Sequence, residues 1–297
     1  MCSSGPVSSN GWCAWCANDM ALSVASLHIY PIKSLGGSSV QQARTTDRGF
    51  EHDRRWMLVD GNGRFITQRE VPTMACLHCS AQADGFRVTD TRDEAMIDLP
   101  WAIGHGTRRP VSVFSDTVMV LDAPTGISAW FSRQLKVPCA LVFMPDDSLR
   151  AVDPIYATGI TSLSDGYPYL IISQASLDDL NARIRASSDH LIDPSSDLGM
   201  ERFRPNIVIA GGSAFQEDGW REITIGDASF SLVKRCGRCV IPTTDQRTGE
   251  RGIEPTRTLA SYRKRVTESG AVKVEFGMNA MAGGGTTVQT GMAVSIR

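Results

Sequence analysis

Apolar and polar residues alternate in short runs through the first half of the chain. Residues 22–32 (LSVASLHIYPI), 38–46 (SSVQQARTT), 54–60 (RRWMLVD), 63–67 (GRFIT), 85–90 (GFRVTD), 110–114 (PVSVF) and 117–122 (TVMVLD) read as strands. A period of two puts one strand face on a core and the other in water. Turn signals separate them, among them Asp60-Gly61-Asn62-Gly63, which reads as a hairpin loop, and Asp84-Gly85. Many short strands at this spacing predict a barrel or a sandwich. One helix interrupts them: Ile127, Trp130, Phe131 and Leu135 form an apolar stripe, with Asp122 as its cap and Pro124 in its first turn.

Residues 149–168 (LRAVDPIYATGITSLSDGYP) are polar and rich in turn formers, and a domain boundary is expected there. A short buried strand (YLIIS, 169–173) then runs into a helix (174–187) with Leu177, Leu180 and Ile184 on one face. Residues 187–197 (SSDHLIDPSSD) read as a loop. Strands resume at 205–212 (PNIVIAGG), 220–227 (WREITIGD) and 228–234 (ASFSLVK), and the tail 271–296 reads as two or three strands around a glycine-rich loop. The pattern predicts a mainly β, α+β chain with a few helices.

Composition adds little to this. The chain has 297 residues, 42% hydrophobic and 21% charged, with a formal net charge of -2, values ordinary for a globular protein of one or two domains. Nothing in that balance points to nucleic acid or an anionic membrane. There is no run of 18 apolar residues and no basic n-region, so no membrane span or secretory leader is expected. The expected compartment is the cytoplasm, with thiols reduced. Met20 reads as the start of the fold, and residues 1–19 as a disordered extension.

Six of the 8 cysteines form three C-x-x-C pairs: Cys13/Cys16, Cys76/Cys79 and Cys236/Cys239. Cys13/Cys16 falls in the extension. A zinc shared between Cys76/Cys79 and Cys236/Cys239 would need the fold to unite distant pairs. A redox disulfide needs a helix after the pair, whereas VIPTTDQRTG follows Cys239. The third reading is a lone thiolate. Arg235 and Arg238 favour a charged thiol, and arginines suit an anionic ligand, so a metal with a phosphate-bearing partner fits better than zinc alone. Cys76, Leu77 and Cys79 read as a strand with buried small hydrophobes. His28, His52, His78, His105 and His190 show no ligand spacing.

RFRPNIVIAGG (202–212), KRCGRCVIPTTDQRTGE (234–250) and EPTRTLASYRK (254–264) resemble the MOSC domain. YPIKSL (30–35) and HDRRWMLVD (52–60) resemble the β-barrel domain that precedes it. In this order, over residues 22–297, the motifs resemble the amidoxime-reducing component family and its bacterial relatives. The resemblance implies an N-terminal β-barrel domain (20–148) followed by a MOSC β-barrel domain (149–297). It implies a molybdenum atom held by one cysteine thiolate and by the dithiolene of a molybdopterin. The family pattern R-C-x-x-T-T points to Cys239 as the ligand and leaves Cys236 a bystander, although Pro242 makes this stretch one residue longer. Lys33 and Ser34 match contacts to the cofactor phosphate, and Arg54 matches an arginine that also reaches it. Arg204, Asn206 and Arg238 match pterin contacts, and Ser164 and Asp165 fall in a cofactor-proximal loop.

The activity so implied is reduction of N-hydroxylated compounds: hydroxylamines, amidoximes or N-hydroxylated bases. Some relatives carry an iron–sulfur domain, whose C-x4-C-x2-C spacing is not found here. A separate electron donor, such as a ferredoxin, flavoprotein or haem protein, is therefore expected. The alternatives are cofactor sulfuration through a cysteine persulfide and a cofactor carrier without turnover. Pyridoxal phosphate binding attaches only by family association, since no aminotransferase domain is evident.

Overall fold

The computed structural model describes residues 21–187, 197–267 and 270–297. The expected extension 1–19, Cys13/Cys16, His190 and most of the loop at 187–197 lie outside the described residues. Among those described, the chain is mainly β with three α-helices: Thr125–Leu135, Gln174–Ala186 and Thr256–Tyr262.

The largest sheet has nine strands and draws on both ends of the chain. Its order runs Val294–Ile296, Glu222–Ile225, Ala228–Gly237, Val272–Ala282, Tyr169–Ser173, Ile207–Ala210, Ser23–Ile29 and Ser38–Val40, with Lys264–Val266 also on Val272–Ala282. Ser23–Ile29 pairs antiparallel with Ile207–Ala210, so the first strand is hydrogen-bonded into the C-terminal sheet. Tyr169–Ser173 and Ile207–Ala210 are parallel. Parallel neighbours need a crossover, and Gln174–Ala186 provides it. Ser173 caps that helix by accepting from Ser176 N–H, and Leu177 and Leu180 are buried.

Ile29, Ile171, Ile207, Phe230 and Ala280 centre one core, on one face of this sheet. Ile172, Phe203, Leu259 and Phe276 form another under the two C-terminal helices. A four-stranded sheet (Trp56–Val59, Ala140–Phe143, Asp116–Asp122, Arg108–Val113) and a three-stranded one (Leu77–Gln82, Gly85–Asp90, Met96–Pro100) hold the cores of the N-terminal half. None of these strand orders closes on itself, so the expected barrels are open sheets in this chain.

Other expectations shift locally. Asp122 ends a strand and pairs with Arg109 (Nε–Oδ1 2.8 Å) instead of capping the helix, whose cap position is Pro124 with no side-chain bond. Residues 63–67 make only isolated bridges, although Phe65 and Ile66 are buried. Residues 38–46 split into two strands in different sheets. Cys76 closes a 3-10 turn, and the strand starts at Leu77. The strands Met96–Pro100, Ala140–Phe143 and Lys264–Val266 and the helix Thr256–Tyr262 were not evident from periodicity. They are short, and short elements show too few repeats to declare a period.

Candidate functional site

The strand Ser23–Ile29 ends in Tyr30-Pro31-Ile32, and the chain turns at Lys33 and Ser34. Backbone bonds lace this turn to the segment before Trp56: Lys33 N–H to Trp56 O (2.8 Å), Trp56 N–H to Pro31 O (3.0 Å) and Arg54 N–H to Tyr30 O (2.8 Å). Ser34, Arg54 and Arg204 all take left-handed φ, 68°, 48° and 58°. Each such non-glycine residue costs roughly 1–3 kcal/mol and persists only where its surroundings enforce it.

The enforcement here is packing around Tyr30, which is 2% exposed. The guanidinium groups of Arg54 and Arg204 each lie 4.3 Å from its ring centroid, a cation–π arrangement that suits arginine's flat fork. Arg54 donates to Asp53 Oδ2 (2.6 Å), Asn206 Oδ1 (2.9 Å) and the Arg204 carbonyl (3.0 Å). Arg204 donates to the Leu35 carbonyl. Asn206 is held in turn by its Nδ2–H on His28 O (3.2 Å) and by Leu170 N–H on its Oδ1 (3.3 Å). Burial lowers the Arg204 pKa to about 10, with neighbouring Arg54 adding to the fall and Tyr30 opposing it. Burial likewise raises the Asp53 carboxyl despite Arg54 beside it.

Lys33 is 3% exposed. Its ammonium meets Asp165 Oδ1 at 2.5 Å and lies against the rings of Phe65 and Phe114. Burial lowers its pKa to about 8, Asp165 opposing and Arg150 and Arg69 assisting. Desolvation acts on Asp165 too, but Lys33 and Arg69 hold this carboxyl below the usual range against it, an effect that water at its 60%-exposed side chain screens. The loop carrying Asp165 is fixed by buried Arg150, which donates to Ser162 O (3.2 Å), Ser164 O (2.6 Å) and Asp165 O (3.2 Å). Ser164 Oγ bonds within its own loop, to Thr161 Oγ1 (2.5 Å) and Tyr167 O (2.8 Å).

Cys236 and Gly237 end the ten-residue strand Ala228–Gly237, three residues beyond the expected stop. Arg238 then donates to Cys236 Sγ (3.1 Å) and Phe203 O (2.7 Å). Its buried Nε meets no partner among the described residues. After Cys239 the extra Pro242 sits inside the 3-10 turn Ile241–Thr243. Thr243 N–H and Oγ1–H both bond Val240 O (3.0 and 2.7 Å). The lengthened stretch is thus taken up in a buried turn directly after the cysteine.

These segments enclose one cleft of about 130 Å³. Lys33, Ser34, Arg54, Ser164, Asp165, Arg204, Asn206, Arg238 and Cys239 all line it, whereas Arg235, expected beside the thiol, does not and faces Asp218 and Glu275 instead (3.8 and 3.7 Å). Five cations and one carboxylate face it, with the Cys236 and Cys239 thiols. Both cysteines are free, as are Cys76, Cys79 and Cys139. Cys76 and Cys79 are fully buried, Cys76 Sγ points at Arg247 O (3.5 Å), and burial pushes Cys79 up to about 12. Among the described residues no three His, Cys, Asp or Glu side chains gather as a metal cluster, so the two pairs do not form a zinc tetrad. His28, His52 and His78 engage Ser26, the Trp101 ring and Gln246 O.

The fifth cation, Arg69, was not singled out from sequence. It follows the irregular segment 63–67 and belongs to no motif. Its Nη2 meets Asp165 Oδ2 at 3.1 Å. Burial works against its charge, but Asp165 and then Cys239 outweigh that and raise its pKa above the ordinary arginine value.

Fold and cleft together define a mainly β protein whose two halves meet around a cation-lined pocket bearing a free thiol. Residues 21–138 match the MOSC N-terminal beta barrel domain, and residues 159–295 match the MOSC domain. The chain is 32% identical over 254 residues to mitochondrial amidoxime-reducing component 1 of Mus musculus, covering 81% of this chain and 71% of that protein. It is 32% identical over 255 residues to mitochondrial amidoxime reducing component 2 of Rattus norvegicus, covering 81% and 72%. The molybdenum cofactor sulfurase of Oryza sativa subsp. japonica is 30% identical over 257 residues, 81% of this chain but 31% of that protein. The chain belongs to the MOSC family that contains these proteins. No described helix is long and apolar enough to cross a membrane.

Proposed function

We propose that this chain is a molybdenum-cofactor-dependent oxidoreductase that reduces N-hydroxylated compounds such as hydroxylamines, amidoximes and N-hydroxylated bases. The observation that carries the reading is the Cys239 thiol, unpaired with another cysteine, in the same cleft as Lys33, Arg54, Arg204 and Arg238. A soft thiolate beside converging cations suits a metal on a phosphate-bearing ligand. The donors fit such a group, and Arg238 Nε, which has no partner among the described residues, is a buried N–H available to it. Lys33, Ser34 and Arg54 would hold the phosphate, Arg204, Asn206 and Arg238 the pterin, with Ser164 and Asp165 shaping the adjoining loop, and Cys239 the molybdenum. When bound, that metal supplies the two-electron reduction by which an N-bound oxygen leaves as water.

The chain's own residues do the rest. Tyr30 and Asn206 fix the two arginines before any ligand arrives, which reduces the ordering cost of binding. Lys33, with its pKa near 8, carries its proton at neutral pH. Electrons come in this reading from a separate ferredoxin, flavoprotein or haem protein in the cytoplasm.

The test is expression in a host that makes the cofactor, with molybdenum and pterin measured per chain and benzamidoxime reduced by a chemical reductant. Turnover by wild type and none by Cys239→Ala is the expected result. Bound pterin without turnover leaves the carrier reading. Direct reduction from NADH by the purified chain would sink the separate donor. The likeness to the rice sulfurase supports a second reading, persulfide transfer, in which mass spectrometry finds a sulfane sulfur on Cys236 or Cys239.

A further inference from the structure

Arg69 stands on a turn anchored far more firmly than a surface ion pair requires. Thr67 and Glu70 close the turn, Oγ1–H to Oε2 at 2.6 Å, and Arg69 N–H bonds Thr67 Oγ1 at 3.1 Å. Gln68 is fully buried between the two halves, its Nε2–H on Ser34 O (2.7 Å) and its amide facing that of Gln246 (3.3 Å). Arg251 Nη2 donates to Gln68 O (2.6 Å) and Arg69 O (3.3 Å). The turn is therefore tied to the Lys33–Ser34 turn on one side and to the segment after Cys239 on the other.

The partner of the guanidinium does not account for this. The Asp165 side chain is 60% exposed, and ion pairs with so exposed a member contribute little. Asp165 is also shared with Lys33, so one carboxylate faces two cations. Arg69 lines the same cleft as Cys239, and a guanidinium has five N–H donors, of which Asp165 engages one nitrogen.

We infer that Arg69 is a further cofactor-binding residue, holding negative charge of the bound cofactor in the cleft it lines together with Cys239. The inference rests on the function proposed above. It makes different predictions for the two members of the pair. Loss of Arg69 removes a binding cation. Loss of the Asp165 charge removes a repelling anion and leaves Arg69 in place.

The experiment compares wild type with Arg69→Ala, Arg69→Gln and Asp165→Asn, each made in a cofactor-producing host. Pterin and molybdenum per chain are followed through gel filtration at rising salt, and thermal melts establish that each variant is folded. Arg69→Ala and Arg69→Gln should lose pterin about tenfold more readily, the scale of one charge-assisted hydrogen bond, and more readily than Asp165→Asn, which keeps Arg69 but frees Lys33 from its partner. Arg69→Gln provides the reading should Arg69→Ala not fold. Retention by both Arg69 variants equal to wild type overturns the inference. So does equal loss in the Arg69 variants and in Asp165→Asn, which makes Arg69 only the partner of that carboxylate. Wild type without pterin defeats the proposed function itself, and the inference with it.

Discussion

The Lys33 ammonium lies 2.5 Å from the Asp165 carboxylate, although 132 residues separate them. The pair joins the turn after the first strand to the loop that precedes the strand Tyr169–Ser173. It also has a pH signature. Burial chiefly brings Lys33 down from 10.5 to about 8. Between those values the unfolded chain binds the proton and the folded chain does not, so this group makes stability rise with pH from about 8 to 10.5 and adds no slope below 8. Lys33→Met should remove that slope. Urea titrations between pH 8 and 10.5 check this: wild type should gain stability from this group over that range and Lys33→Met should not.

Asn206 is 1% exposed and accepts from Arg54 while donating to His28 O. Asn206→Ala leaves a buried guanidinium N–H and a strand carbonyl without their partner. The expected loss is about 3 kcal/mol by urea unfolding, together with weaker pterin retention as Arg54 loses its stop. A variant of wild-type stability would mean that Asp53 and the Arg204 carbonyl hold Arg54 unaided.

Gly37 lies against the ring that spaces the two arginines. A Cβ there would fall 2.4 Å from Tyr30 Cδ1 and 2.7 Å from the Ile29 carbonyl. The ring cannot retreat without moving Arg54 and Arg204, which pack 4.3 Å from its centroid. Gly37→Ala should cost about 2 kcal/mol and lower pterin content per chain, read by thermal melt and by fluorescence of the released pterin.

The cysteines should separate by accessibility. Iodoacetamide on the native cofactor-free chain is expected to label Cys236 and Cys239, which are half-buried, and to spare Cys76 and Cys79 until the chain is unfolded. Cofactor loading should protect Cys239. Labelling of Cys239 that is unchanged by loading would count against it as the metal ligand.

Much of the candidate site was legible because its signals are local. An arginine before a cysteine and threonines after it in KRCGRCVIPTT, and a lysine and serine after a proline in YPIKSL, are adjacent in the chain, and in their order along it they resemble the motifs of one family. Pro242 makes the stretch after Cys239 one residue longer than the family pattern. It is absorbed because a 3-10 turn accepts proline in its first positions and the following threonine closes on Val240.

What only the tertiary structure decided is whatever depends on partners distant in sequence. The alternating pattern identified Ser23–Ile29 as a strand, but strand pairing is non-local, and its place beside Ile207–Ala210 in the C-terminal sheet is not written in its own residues. Arg69 shows the same limit at the site. Its charge is local, but its meaning comes from Asp165, 96 positions away, and from the cleft both residues line. By itself the sequence determined which short segments are apolar on one face and which motifs carry cations and a thiol. The fold determined that these segments converge, because burying their apolar faces leaves the charged residues of several separated turns around one cleft.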